Sequence, residues 1–502
     1  MAFAKSRVYG RSMLSRRQMM AGLGALGLDI SSASCASSSY PERDFANFET
    51  GQERSAVPAF VRALDWVRRE GGGRIRLPAN RTLVLDEEIR LLSNLALVGD
   101  SSCLIRQTKP GLRLFVGEDI HSVTLSGFAV RGAGPQALFE PERRTDVDGE
   151  APRTVTDAGL IHFLSSASGA SSDLAVQNLT MSDGYNLLCV RGAQRVRVEN
   201  CHFSNWMLYA ALCSGSSDVT VIGNRFEQCA QARGYTAYAF SATGDERRGY
   251  PQRRLRFLRN MVSGVPSWDG FMTHEVDDLI VEDNEFRDVR NGIDITSPSG
   301  RIANVRVSRN RIFHTRSDPW RGRSAAHFGI SVAADPGVPF IRNVNVSENL
   351  VSGANAVPGL SSGGYVIGAL AFSRIGELTV SGNGIADIGN EDSKLPKPKG
   401  FDCISIYQPS SNVTILNNTG NGTLDRYFLE LDATTDGASD NIKISGNTFS
   451  TSSKMTSLTR FVRGNFKNVS IFNNRLMSSS RRTSQFEVEP ESAHVALLPS
   501  IS

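Results

Sequence analysis

The sequence predicts an all-β solenoid, one chain wound into stacked rungs behind an N-terminal helix. A recurring strand pattern and a recurring turn residue carry this prediction. Short alternating segments such as "NLALVGD", "RVRVENC", "DVTVIGNRF", "NVRVSRNRI", "NVNVSENLV" and "NIKISGNTF" run through the chain, nearly all closing on Asn or Gly. Asn landmarks fall at 178, 200, 224, 260, 284, 310, 349, 383, 418, 447 and 474, at intervals of 22 to 39. A unit this short cannot bury its own apolar face, whereas stacked neighbours share one continuous core. A propeller needs longer and more even blades, and a sandwich does not keep one turn signature along so many strands. Of 502 residues, 40% are apolar and 21% charged, with 46 Gly and 19 Pro. That composition supports a core and excludes wholesale disorder, collagen and coiled coil.

In chain order, residues 1–36 read as an export signal. The stretch "RSMLSRRQMMAGLGALGLDISSASCASS" sets basic residues before a short apolar run from Met19 to Leu28, then small residues. Ser15–Arg16–Arg17 resembles the twin-arginine signals, which implies export of an already folded chain to the periplasm or beyond. The apolar run is too short to span a bilayer, and no later segment reads as a membrane span. Lys5, Arg7, Arg11, Arg16 and Arg17 against Asp29 account for the whole net charge of +4. The remainder is neutral, so nothing in it asks for nucleic acid. Residues 37–53 form a lead-in. In "AVPAFVRALDWVRREGGGRIRLP", Phe60, Leu64 and Val67 share one helical face ahead of a Gly stop, predicting a helix near 54–70 that caps the first rung. The solenoid is expected over 54–480, with 481–502 an irregular tail containing one strand at most. Six cysteines follow residue 36, with no CxxC and no zinc-like spacing, and are expected to be reduced and buried.

The repeat, together with "AFVRAL…GGGRIRLP…LLSNLALVGD", resembles the right-handed parallel β-helix family of pectin-lyase-like proteins over about residues 54–480. The resemblance implies that fold and a carbohydrate ligand. Within each turn the recurrent Asn is expected to adopt the left-handed conformation and to bond backbone or the Asn one rung away. Laid in register, "DGFMTHE", "NGIDITS", "FGISVAA", "DCISIYQ" and "YFLELDA" place Phe271, Ile293, Ile330, Ile404 and Leu429 in an inward column. Met272, Asp294, Ser331, Ser405 and Glu430 then face out, as do His274, Thr296, Tyr407 and Asp432.

Rungs stack at ~4.8 Å, a spacing comparable with the carboxylate pairs of glycosidases. Two adjacent carboxylates also push one pKa up, which sets an acid beside a base. Asp294 with Asp269 or Glu275 is the leading cluster, with His274 orienting a carboxylate; Asp402 with Glu430 and Asp432 is the second. The longer intervals carry loops expected to wall a cleft on one side. They bring Tyr235, Tyr238, Arg316, Trp320, Arg321 and His327 toward the acidic stripe, with Trp206 and Trp268 entering from shorter turns. Aromatic rings offer platforms to sugar faces, and guanidinium forks hold hydroxyls or carboxylates.

The stretch "DGFMTHEVDDLIVEDN" resembles the catalytic stretch of the alginate C5-epimerases, whose motif runs Tyr-Gly-Phe-Asp-Pro-His-Asp. Gly270, Phe271 and His274 match, and Glu275 replaces the last carboxylate. Asp269 stands at the tyrosine position, while Met272 and Thr273 replace the family's aspartate and proline. Three functions follow in order. The first is a glycoside hydrolase or transglycosidase using Asp294 and Asp269. The second is a lyase or epimerase on a uronic-acid polymer, which would call for Ca²⁺ to bridge an acidic stripe to a polyanion. The third is a noncatalytic glycan-binding solenoid. The hydrolase reading needs no metal or cofactor. The partner is a poly- or oligosaccharide, and both a monomer and a side-by-side trimer are open to such a chain.

Overall fold

A computed structural model describes residues 40–51, 53–135, 159–230, 237–244, 252–314, 328–353, 367–388, 401–422, 427–433, 437–451, 457–478, 484–488 and 493–497. The export segment and the Tyr235, Arg316, Trp320, Arg321 and His327 loops lie outside the described residues. The described chain is a parallel β-solenoid of three faces. The first face is a 16-stranded sheet running from Glu42–Asp44 to Ala493–Leu497, and it holds the alternating segments seen in the sequence. The other two faces belong to one 24-stranded sheet. Long strands such as Thr180–Arg191, His202–Ser214, Met261–His274 and Glu285–Ser297 bend from the second face onto the third. The register between neighbours shifts at Gly184/Asn186 and at Val265/Asp269. Each rung therefore has three strands; the short second-face strand, such as Arg225–Glu227 or Leu350–Ser352, is too brief to show alternation.

Helix α1 (Val57–Glu70) caps the first rung. Pro58 fits its first turn, where a missing N–H costs nothing, and Gly71 at φ 72° ends it in the left-handed conformation. Phe60, Ala63, Leu64, Trp66 and Val67 are buried, and the Phe60 ring meets Phe115 of the first turns at 5.9 Å. Regular structure also extends past both expected ends. Glu42–Asp44 in the lead-in pairs with Gly73–Arg76. The segment expected as an irregular tail adds two parallel strands, Ser484–Val488 and Ala493–Leu497, to the last rungs. Phe486 is half-buried and meets Phe461 at 6.1 Å, giving that segment an apolar reason to continue the coil.

The turn between the first two faces is a side-chain ladder. Asn224, Asn260, Asn284, Asn310, Asn349, Asn383, Asn418, Asn447 and Asn474 each accept at Oδ1 from the previous ladder residue. Cys201 opens the series with its backbone N–H. The side-chain links run 2.9–3.1 Å. Each ladder Nδ2 also donates to a strand carbonyl, as Asn310 does to Val281 at 2.8 Å. The expected inter-rung bonding holds, but the left-handed residue is a different one. It precedes the ladder Asn: Gly223, Arg259, Asp283, Arg309, Glu348, Gly382, Asn417, Gly446 and Asn473 have positive φ. Asn178 and Asn200 belong to this preceding position, with φ 54° and 51°. The helical backbone handedness at one residue frees the next to point its amide inward.

The inward column Phe271, Ile293, Ile330, Ile404 and Leu429 is fully buried, as the alternation requires. Aromatic rings stack along the coil, with Phe203–Phe226 at 4.8 Å and Phe240–Phe271 at 5.6 Å. All six described cysteines are buried thiols outside any disulfide. Desolvation pushes the Cys201 and Cys213 thiols up to about 12, so they are inert core groups. Among the described residues no helix is long and apolar enough to cross a membrane.

Candidate active site

The third face presents one outward column whose neighbours are in register: Ser241, Met272, Asp294, Ser331, Ala371, Ser405, Glu430 and Arg460. Three residues earlier on each strand runs a second column, in which Asp269 stands directly beside Asn291. Asp294 is partly open to solvent, whereas Asp269 is 1% exposed. Asn291 Nδ2 donates to Asp269 Oδ1 at 2.6 Å, and no described residue bonds Asp269 Oδ2.

This arrangement perturbs both carboxyls. Burial, then the charge of Asp294, push Asp269 well above the ordinary carboxylate range; Asn291 and the Arg290 guanidinium pull the other way and lose. Desolvation raises Asp294 to about 6, against a hydrogen bond from Ser331. Burial and the charge of Asp294 thus favour the protonated form of Asp269 beside the more exposed Asp294. An ionised carboxylate next to a protonated one is the arrangement that acid–base chemistry requires. Beside the pair, the Arg290 guanidinium lies 4.4 Å over the Trp268 ring. Tyr238, in the column that leads to Asp269, stacks on Tyr209 at 5.3 Å. These are flat apolar surfaces of the kind that receive sugar faces.

Other expected site residues have different surroundings. Trp206 is wholly buried in the core and offers no platform. It follows Asn205, whose positive φ of 51° turns the corner and resets which side chains point inward. Glu275 is itself a left-handed corner residue, φ 56°. Its carboxylate is taken up by that turn, accepting from Ser297 Oγ at 3.1 Å, from Ser299 Oγ at 2.8 Å and from the Ser299 backbone N–H. His274 pairs in register with Thr296, not with Asp294. Burial lowers its pKa against the opposing charges of Asp335 and Glu275, and among the described residues no hydrogen bond joins it to a carboxylate.

The second acidic cluster is neutralised from the next rung. Arg460 Nη1 reaches Glu430 Oε2 at 3.6 Å and its guanidinium lies over Tyr427 at 5.3 Å. Arg463 Nε donates to Asp432 Oδ1 at 3.1 Å, and its pKa is raised first by that bond, with Tyr407 contributing. Asp402 is fully buried and accepts from the Tyr427 backbone N–H at 3.4 Å. Asn291, Arg290, Arg460 and Arg463 are the neighbours that sequence reasoning missed; the Asn opening "NGIDITS" opposite the Asp of "DGFMTHE" was the one available signal. Among the described residues no group of three or more His, Cys, Asp or Glu side chains is placed to hold a metal ion. A hollow of about 540 Å³ lined by Arg301, Phe340 and Arg342 lies by the start of the first face, not at the carboxylate pair.

Comparison with known proteins agrees with this architecture. Residues 164–385 match the family model described as a right handed beta helix region. Among solved structures, the family 28 exopolygalacturonase of Yersinia enterocolitica is 12% identical with a TM-score of 0.50, covering 86% of this chain and 78% of that one. The surface protein and adhesin PfbA of Streptococcus pneumoniae is 12% identical at 0.49, covering 89% and 100%. The mannuronan C-5 epimerase A-module of Azotobacter vinelandii is 13% identical at 0.45, covering 90% and 99%. No curated protein matches the chain. The chain thus has the right-handed parallel β-helix fold, all-β with one helix capping its N-terminal end.

Proposed function

We propose that the chain is a polysaccharide-active glycoside hydrolase or transglycosidase whose acid–base pair is Asp294 and Asp269. The observation that carries this reading is the pairing of a buried carboxyl, Asp269, with the more exposed Asp294 on the adjacent rung of one face, the pKa of each raised by burial. Fold alone assigns no reaction. In hydrolysis one carboxyl protonates the glycosidic oxygen while the other, ionised, activates water or attacks the anomeric carbon. Asp294, the solvent-facing member, is the ionised partner above about 6 and meets the substrate; Asp269 holds the proton. Tyr238 and Trp268 supply the sugar platforms. Tyr235, Arg316, Trp320, Arg321 and His327 stay as substrate-binding proposals from the sequence.

Arg290 favours a second reading. A lyase or epimerase must neutralise a uronate carboxylate while a base removes the C5 proton, and Arg290 stands beside the pair. Arg460 and Arg463 likewise remove the bare acidic stripe that would repel a polyanion. Residues 1–36 read as a signal for export in folded form to the periplasm or the exterior. Six buried thiols outside any disulfide suit a chain folded in a reducing compartment before export.

Product analysis on neutral and uronic polysaccharides tests the assignment. New reducing ends without ultraviolet absorbance are expected. An unsaturated uronate would instead show a lyase, altered residues in chains of unchanged length an epimerase, and binding without product a noncatalytic solenoid.

A further inference from the structure

Resting on the acid–base pair above, we infer that Asn291 is a positioning residue that fixes the carboxyl proton of Asp269 on its Oδ2. The two side chains stand side by side on adjacent rungs, and both are more than nine-tenths buried, at 1% and 5% exposure. Asn291 donates from Nδ2 to Asp269 Oδ1 at 2.6 Å. An oxygen that accepts this N–H has no hydrogen of its own facing the amide, so the carboxyl hydrogen is placed on the other oxygen. That oxygen, Oδ2, is buried with no partner among the described residues, and so is Asn291 Oδ1. Nothing described competes for the hydrogen.

The charged groups facing Asp269 are Asp294 and Arg290, both from the strand Glu285–Ser297. From the rung before, the strand Tyr238–Thr243 brings Tyr238 into the same column. None of these takes the place of the Asn291 N–H. When the Oδ2–H bond breaks, its electron pair stays on Asp269, and the proton passes to the Asp294 carboxylate or to a substrate oxygen. The Asn291 N–H then faces an anion, and its bond becomes charge-assisted and stronger. Asn291 therefore does two things: it selects the oxygen that carries the proton, and it lowers the cost of losing it.

The opposite amide orientation gives an opposite result. With its oxygen toward Asp269, Asn291 would accept the proton and hold it, raising the carboxyl pKa. The direction of the shift on removing Asn291 separates the two. The experiment is an infrared titration of the protonated-carboxyl band without substrate, the Asp269 contribution being assigned by its loss in Asp269→Asn. Wild type is compared with Asn291→Ala and with Asn291→Ser, which keeps a small polar group if the Ala variant does not fold. The Asp269 midpoint is expected to rise by about one pH unit or more, the worth of a hydrogen bond to a charged group. On an active substrate the alkaline limb of kcat should move the same way, with KM little changed. An unmoved or lowered midpoint overturns the inference. Because the titration needs no substrate, failure of the carbohydrate reading leaves its outcome standing.

Discussion

A carboxyl sealed from water beside a second carboxylate binds its proton more tightly than one in water, and that has a consequence for stability as well as chemistry. Asp269 and Asp294 both bind protons more tightly in the folded chain than in the unfolded one, where the pKa is ~4. Between that value and their folded values the native state holds more protons, so stability falls as pH rises through the window. Asp269→Asn removes the larger share of the penalty, keeps the shape and has an oxygen to receive the Asn291 N–H. Its melting temperature at pH 8 should exceed that of wild type, with the advantage shrinking toward pH 4, while turnover is lost. A variant no more stable than wild type at pH 8 would show that Asp269 is not held protonated by its surroundings. A site residue whose loss stabilises the fold is the trade expected where function uses a strained group.

Within a rung, the two residues at the corner between the first and second faces have distinct tasks, and one pair separates them. Glu348 carries φ 57°, a conformation that costs a residue with a Cβ about 1 kcal/mol. Asn349 accepts from both the backbone and the side chain of Asn310 and donates to Asn383 and to Val307 O. Glu348→Gly should therefore leave the denaturation midpoint unchanged or slightly raised. Asn349→Ala orphans buried donors and acceptors at about 1–3 kcal/mol each and should lower it clearly; equal effects of the two would contradict the ladder. The sequence made the strand parity legible, because alternation is local: Phe271, Ile293, Ile330, Ile404 and Leu429 point inward as read. It did not separate the two corner positions, because Asn serves in both, at Asn417 with Asn418 and at Asn473 with Asn474. Those adjacent pairs were the available clue. Trp206 and Glu275 were misplaced for a related reason: a left-handed corner residue resets the parity, and that reset leaves no periodic trace.

Across the whole molecule, stability is a sum over stacked rungs, and the ends are where it is most exposed. Helix α1 closes the N-terminal end, while Ser484–Val488 and Ala493–Leu497 cover Phe461 and Phe466 at the other. Truncation after residue 480, the boundary the sequence suggested, should lower the melting temperature and promote aggregation through the bared strand edge; an unaffected chain would make the last rung dispensable. The ion pairs that neutralise Glu430 and Asp432 come from Arg460 and Arg463 on the following rung, about one solenoid turn along the chain. Sequence reading aligned the acidic columns and missed the basic residues one rung on, whereas the Asp269–Asp294 pair was legible because "DGFMTHE" and "NGIDITS" align in register across the intervening strand Val276–Glu282. That pair is the central claim, and Asp294→Asn tests it most directly, with turnover and melting temperature measured on the same preparation against the polysaccharide wild type degrades. The amide keeps size and most hydrogen bonding but cannot exchange the proton, so turnover should fall by ~10²–10⁴-fold while the melting temperature is held or raised. Near-normal turnover in a folded Asp294→Asn would contradict the account.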